Sequence, residues 1–255
     1  MGMFSLNFSG RFKYFIHYHF ENFVLNKVSN IIVFSNYSKK LLEKLHNIKN
    51  KIIVAQPGVA YYLSSKYRNM SKSRARSYLG LDPSTPIFLL VSRIEKRKGI
   101  DQFIINFSKY NKGQLVLCSN FDQAFFSIFP ALEEANLGSK IKLINSPSSD
   151  QLSLLYRAAT VTILPSTMLE TFGFVTLESL YFNTPVIAFD IGANPELIET
   201  KYLVKYSSKN HWQELISRLN DTEKQPIEKY SSPLIKSFSW SSYLNKMLAF
   251  ANKSY

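Results

Sequence analysis

The sequence predicts an α/β fold built on a doubly wound parallel sheet. Short runs of continuous apolar residues alternate with stretches of helical periodicity, and the runs are apolar on successive positions rather than on every other one. That pattern belongs to strands buried on both faces, joined by crossover helices.

The elements follow in order. Residues 11–28 read as a helix, with Phe12, Phe15, Phe20 and Phe23 among its apolar positions. Residues 31–34 are a short buried-strand run. Ser35 and Asn36 are N-cap residues for a helix over 38–46, with Leu41, Leu42 and Leu45 on one side. Residues 52–55 form a second strand, stopped at Pro57-Gly58. From residue 60 to about 72 the pattern breaks into a basic stretch rich in Tyr and Ser, expected to be a linker. A helical segment around 74–79 ends at Gly80. Five strands are then expected at 87–91, 114–118, 141–144, 161–164 and 186–189. Helices are expected between them near 99–109, 122–136, 149–158 and 173–182, with two more at 211–219 and 240–251.

The chain has 255 residues, 45% of them hydrophobic and 19% charged, with a net charge of +13. That apolar content excludes a disordered chain. A lone Cys118 excludes a disulfide framework and cysteine-based zinc or iron–sulfur sites, as suits a reducing cytosol. No run of eighteen apolar residues occurs, and the first ten residues lack the pattern of a secretory signal. The charge is uneven. Residues 1–110 carry 18 Lys or Arg against 5 Asp or Glu, and residues 111–255 carry 13 of each. Nucleic acid, an anionic membrane, a phosphorylated ligand, an acidic partner or simply a solvated lysine-rich face would each account for that half. No nucleic-acid-binding motif accompanies the charge, so a nucleic-acid partner is not expected.

In an open parallel sheet, ligands bind beyond the carboxyl ends of the strands, beside helix N-termini. The nine glycines form no G-x-G, and no P-loop, H-E-x-x-H or G-x-S-x-G motif occurs. Two loops carry chemistry. After residues 87–91 comes SRIEKRKG, with Arg93, Lys96, Arg97 and Lys98 within six positions, suited to a ligand with several negative charges. After residues 161–164 comes PSTMLETFGFVTLE. There Gly173 starts a helix, so the amides of Phe174 and Val175 face the strand-end cleft. Glu170 precedes that terminus and Glu178 lies about one and a half turns into the helix. Two such carboxylates grip hydroxyls of a polyol, or serve only as a cap and a surface acid.

These residues together resemble the donor-binding half of a family-4 retaining glycosyltransferase of the GT-B fold. The resemblance runs from Ile31 to Lys205 through VFSNYSKKLL, IIVAQPGV, LLVSRIEKRKGID, the block from Leu143 to Ile198, and the late Phe238-Ser239-Trp240. It implies a GT-B-type Rossmann-like donor domain over 61–205, a remnant of the N-terminal acceptor-side domain over 1–60, and C-terminal helices over 206–255, the last crossing back to that remnant. It further implies that Arg93 and Lys98 hold the leaving diphosphate of a nucleotide sugar. Glu170 then meets sugar hydroxyls, Glu178 the nucleotide ribose, Gly173, Phe174 and Val175 the donor sugar and phosphate, and the loop from Asn145 to Ser148 the base. The implied reaction transfers a hexosyl group with retained configuration, without a cofactor or metal; no Asp-x-Asp pair occurs to hold one.

The sequence departs from the family in places. Ser92 and Thr171 stand where Gly is common, Cys118-Ser119-Asn120 stands where relatives often carry glycines, and no counterpart of the catalytic His is placed; His17 and His19 lie inside a helical pattern. Most of the acceptor-side domain has no counterpart either. The resemblance therefore implies an enzyme that is truncated or works with a separate acceptor-domain chain, or an inactive nucleotide-sugar-binding or scaffold protein. The acceptor is a glycan, a lipid-linked molecule or a small molecule. The expected location is cytoplasmic, with the basic half (Lys39, Lys40, Lys66, Arg68, Lys72, Arg74, Arg76) available to the inner membrane face or an acidic partner. Self-association is expected through Phe12, Tyr14, Phe15, Tyr18 and Phe23.

Overall fold

The computed structural model describes residues 8–46, 48, 51–59, 61–110, 112–121, 140–206, 210–223 and 238–252. The helix expected at 122–136 lies outside the described residues. Two compact units emerge, one of residues 58–239 and one of residues 1–57 with 240–255.

The larger unit is a six-stranded sheet, parallel throughout. Its strands are β3 (Ile87–Val91), β4 (Gln114–Ser119), β5 (Ile141–Asn145), β6 (Val161–Leu164), β7 (Val186–Phe189) and β8 (Leu203–Val204), in the order β5-β4-β3-β6-β7-β8. The chain builds outward from β3 to β5 and then returns to lay β6 on the other side of β3. The loops after β3 and β6 therefore diverge at a topological switch point.

Successive residues of β3 feed two cores. Phe88 and Leu90 join Leu115, Leu117 and Ile163 on one face, packed with α4 (Ile100–Phe107) and α8 (His211–Glu223). Ile87 and Leu89 join Val116, Cys118 and Ile144 on the other, packed with Leu155 and Tyr156 of α5 (Ser149–Ala158). Burial on both faces is why the strands read as continuous apolar runs. Each fully buried Phe or Leu contributes about 1.5–3 kcal/mol. Local caps fix the helix starts: Ser71 Oγ accepts from Arg74 N at the head of α3 (Lys72–Tyr78), and Ser148 Oγ from Gln151 N at that of α5. Strand β8, two residues long, and the one-turn helix α7 (Asn194–Leu197) are too short to show a period and were not expected.

Residues 61–72 are not a linker. Leu63 is buried, Ser64 N donates to Ser153 Oγ at 2.9 Å, Lys66 and Tyr67 both reach Asp150, and Arg68 Nε donates to the Tyr181 carbonyl at 2.9 Å. Nor do all the cations nearby form a basic surface. Lys72 is 5% exposed and Arg76 8%. Lys72 Nζ donates to the Ala159 carbonyl at 2.6 Å and to Thr184 Oγ1 at 2.9 Å; Arg76 donates to the carbonyls of Ala158 and Pro83 and to Thr160 Oγ1. Both stand at the C-terminus of α5, where carbonyls and the helix dipole favour positive charge. Part of the +13 is thus internal scaffolding.

The smaller unit contains α1 (Phe8–Lys27), β1 (Asn30–Val33), α2 (Asn36–Leu45), β2 (Lys51–Val54) and α9 (Trp240–Ala251). Ser35 caps α2 by accepting from Ser38 N. Strands β1 and β2 pair in parallel with Ile31 opposite Ile52, around a small core of Ile31, Val33 and Ile52. On α1, Phe15, Phe20 and Phe23 are exposed. Tyr18 does not share that face: it stacks on His46 at 5.1 Å and donates to the Leu45 carbonyl. The side chains of Phe12 and Tyr14 lie outside the described residues.

Candidate functional site at the switch point

Three loops meet around one ion pair. Lys98 ends a short 3-10 turn, Lys96–Lys98, after β3, and its Nζ lies 2.7 Å from Glu170 Oε2 in the loop after β6. Both side chains are largely withdrawn from water, at 16% and 17% exposure. Ser166 Oγ adds a bond to the same oxygen at 3.3 Å.

The loops are stapled so that this pair is held. Thr167 N donates to the Arg97 carbonyl at 2.9 Å. Gly99 sits at φ 63°, and a Cβ there would overlap the Pro165 carbonyl oxygen. Behind Glu170 the loop after β7 closes in: Ala193 N donates to the Glu170 carbonyl at 2.7 Å, and Gly192, at φ 66°, leaves no room for a Cβ against the Glu170 backbone. Only glycine adopts these conformations without strain and permits such approach.

Arg93 stands apart. Its side chain is 78% exposed, with Nε 3.1 Å from Glu95 Oε1, while Arg97 Nε holds the other oxygen of Glu95 at 2.6 Å. One acid thus organises two of the loop's arginines, leaving Lys98 to face Glu170.

Beyond Glu170 the chain enters α6 (Phe174–Tyr181) through Gly173, whose φ of 90° puts it in the left-handed region. The ring of Phe174 meets Phe172 edge-on at 5.2 Å, and Val175 packs against both cores. In the first turn of α6, Thr176 Oγ1 is buried beside Gly173 with no hydrogen-bond partner among the described residues. A helix start with positive dipole and an unmet hydroxyl is a place for an anionic or polar ligand group.

Glu178 lies deeper, 4% exposed. Tyr62 OH donates to its Oε1 and Tyr156 OH to its Oε2, each at 2.6 Å. Burial raises the pKa of this carboxyl, opposed by the two phenolic bonds. Burial likewise pushes both phenols above the ordinary tyrosine range, and the Glu178 charge adds to it, so they remain donors. Asn145 ends β5, its Oδ1 accepting from Phe121 N at 3.0 Å, and thereby ties the loops after β4 and β5 together. Cys118 is a core residue whose thiol burial pushes up to about 12, which rules it out as a nucleophile.

The structure brings Lys98, Glu170 and the start of α6 onto connected loops, and it leaves Arg93 on the outer side of its own loop. Sequence reasoning missed Tyr62, Tyr156, Ser166, Thr176, Gly99 and Gly192. Tyr62 is 116 positions from its partner, in a stretch without periodicity, and no local signal marks it. The two glycines were findable, since each follows a strand end in a parallel sheet.

Residues 71–234 match the profile of the family described as glycosyl transferases group 1. The chain is 25% identical over 237 residues to D-inositol 3-phosphate glycosyltransferase of Mycolicibacterium smegmatis, covering 90% of this chain and 54% of that protein. It spans about half the length of the curated relatives it matches. Among solved structures it is similar to sucrose-phosphate synthase from Thermosynechococcus elongatus, with TM-score 0.79, 24% identity and coverage of 93% of this chain and 61% of that one. It is also similar to HepE of Anabaena in complex with UDP and glucose, with TM-score 0.76, 19% identity and coverage of 94% and 67%.

Proposed function

The chain belongs to the glycosyl transferases group 1 family and has a GT-B-type Rossmann-like α/β fold; from that premise we propose that it transfers a hexosyl group from a nucleoside-diphosphate sugar, with retained configuration. The observation that carries the reading is the Lys98–Glu170 pair at the switch point, followed at once by the Gly173 helix start. HepE, a structural neighbour, is solved with UDP and glucose, which fits the donor class.

The bond between the sugar's anomeric carbon and the diphosphate oxygen breaks, the acceptor hydroxyl oxygen forms its bond on the same face, and its proton passes to the departing diphosphate. Negative charge grows on the departing diphosphate. Lys98 and the amides of Phe174 and Val175 stabilise it, and Arg93 joins them by leaving Glu95. Glu170, aligned by Lys98 and Ser166, receives sugar hydroxyls. Glu178 receives the ribose, and the loop at Asn145 borders the base. Fixed cations and a helix terminus meet the charge demand in this scheme, with no cofactor.

The acceptor, whether glycan, lipid-linked or small molecule, binds outside the residues discussed. No described helix is long and apolar enough to cross a membrane. With Lys72 and Arg76 buried, Lys66 paired with Asp150 and Arg68 bonded to the Tyr181 carbonyl, the cations left for a peripheral contact with the inner membrane face are Lys39, Lys40 and Arg74. A second reading, a nucleotide-sugar-binding protein without turnover, is favoured by Ser92 and Thr171, whose side chains narrow the approach to phosphate at positions where Gly is common in the family.

Radiolabelled sugar transfer to membrane lipids, glycans or water separates the two. Release of label from a nucleoside-diphosphate sugar supports the transferase; tight binding with no release supports the second reading.

A further inference from the structure

Two phenols close on one buried carboxylate, and they are not equivalent. Tyr156 is fully buried and stacks on Phe182 at 6.1 Å, so its bond to Glu178 Oε2 is part of the core. Tyr62 is 48% exposed, its ring edge-on to Tyr61, which is 88% exposed. It belongs to the irregular stretch before the 3-10 turn Ser65–Tyr67 and is the outer of the two donors. We propose that Tyr62 is a resident hydroxyl on Glu178, occupying the carboxylate oxygen that a ligand diol takes, so that the ligand reaches Glu178 by exchanging with it. This rests on reading Glu178 as a receiver of ribose hydroxyls.

The consequence is competition. A carboxylate only 4% exposed must be hydrogen-bonded in the free protein, and Tyr62 supplies that bond. A ribose hydroxyl that displaces Tyr62 exchanges one charge-assisted bond for another, so it adds little to affinity. The released phenol, half exposed, turns to water. A ligand without the hydroxyl gains nothing by displacing it. Tyr62 therefore lowers affinity for ribonucleotides and compresses the distinction between them and deoxy analogues. Phenylalanine at 62 keeps the ring and removes the competitor.

The test is titration calorimetry of the full chain and of Tyr62→Phe with UDP, ADP, GDP and their 2′,3′-dideoxy counterparts. The ribonucleotide that binds the wild type is expected to bind Tyr62→Phe about tenfold tighter, the worth of a hydrogen bond to a charged group, with dideoxy affinity unchanged. Unchanged or weaker ribonucleotide binding overturns the proposal, as does equal tightening of both ligand types. In the wild type, NMR of tyrosines labelled at the ring carbon bearing oxygen keeps the test independent of the variant's folding. The Tyr62 signal is expected to shift with the ribonucleotide and not with its dideoxy form; no shift overturns the exchange. If none of UDP, ADP and GDP binds either protein, the ribose reading of Glu178 falls and the proposal with it. Binding without the Tyr62 effect defeats the proposal alone.

Discussion

Lys98 Nζ stands 2.7 Å from Glu170 Oε2, joining side chains 72 positions apart and the loops that follow β3 and β6. The pair lies where the strand order reverses, so the chain's topology, not local sequence, brings it together. Both groups are mostly withdrawn from water, so each depends on the other for a hydrogen-bond partner.

Removing Lys98 should therefore cost more than a surface lysine does. Lys98→Met is expected to destabilise by about 1.5–3 kcal/mol, the worth of a hydrogen bond between charged groups. A double-mutant cycle with Glu170→Gln, read by urea midpoints, should give a coupling above about 0.5 kcal/mol. Additive losses would show the pair to be uncoupled.

Gly99→Ala and Gly192→Ala should each destabilise by more than about 1 kcal/mol, since both combine a left-handed φ with contact to a neighbouring carbonyl. Both should also weaken nucleotide binding, because they part the loops that carry Lys98 and Glu170. Gly80→Ala is the control: it shares the positive φ but has open space around it, so it should cost stability without affecting binding.

The α/β class, seven of the eight strands and, among the described residues, the α-helices of the larger unit other than the one-turn Asn194–Leu197 were legible in the sequence, because strands buried on both faces leave continuous apolar runs. What stayed hidden has a common cause. Lys72 and Arg76 read as part of a basic linker, since a sequence shows charge and not the carbonyls at the end of α5 that absorb it. Tyr62 was hidden for the same reason, its partner lying on a helix far along the chain. Glu170 and Glu178 were visible as a motif, yet no local signal marks one as pairing with a lysine and the other with two tyrosines.

Lys72→Met and Arg76→Met are expected to destabilise by about 1–3 kcal/mol each, by leaving buried carbonyls and hydroxyls without donors. Lys66→Met, whose ion pair with Asp150 is exposed and screened by solvent, should change stability far less. Thermal or urea unfolding measures both, and equal effects would contradict the scaffolding role.

Stability should depend on pH through Glu178. Its carboxyl titrates above the ordinary value in the native state. Between those two values the native chain holds the proton that the unfolded chain has lost, so the group's contribution declines as pH rises. Glu178→Gln does not titrate. The stability of wild type relative to this variant should fall with rising pH above the ordinary carboxylate range; a constant difference would contradict it.

Phe15, Phe20 and Phe23 present an aromatic face on α1. Light scattering at high concentration should show self-association that Phe20→Ser with Phe23→Ser reduces. A monomeric wild type would count against the face as a contact surface.

The most direct test of the central claim is calorimetric titration of UDP-, ADP- and GDP-sugars into the wild type, Arg93→Ala and Lys98→Ala. At least one nucleotide sugar is predicted to bind the wild type and to lose tenfold or more in affinity in both variants. Unchanged affinity in both, or no binding by any nucleotide sugar, would contradict a donor site at the switch point.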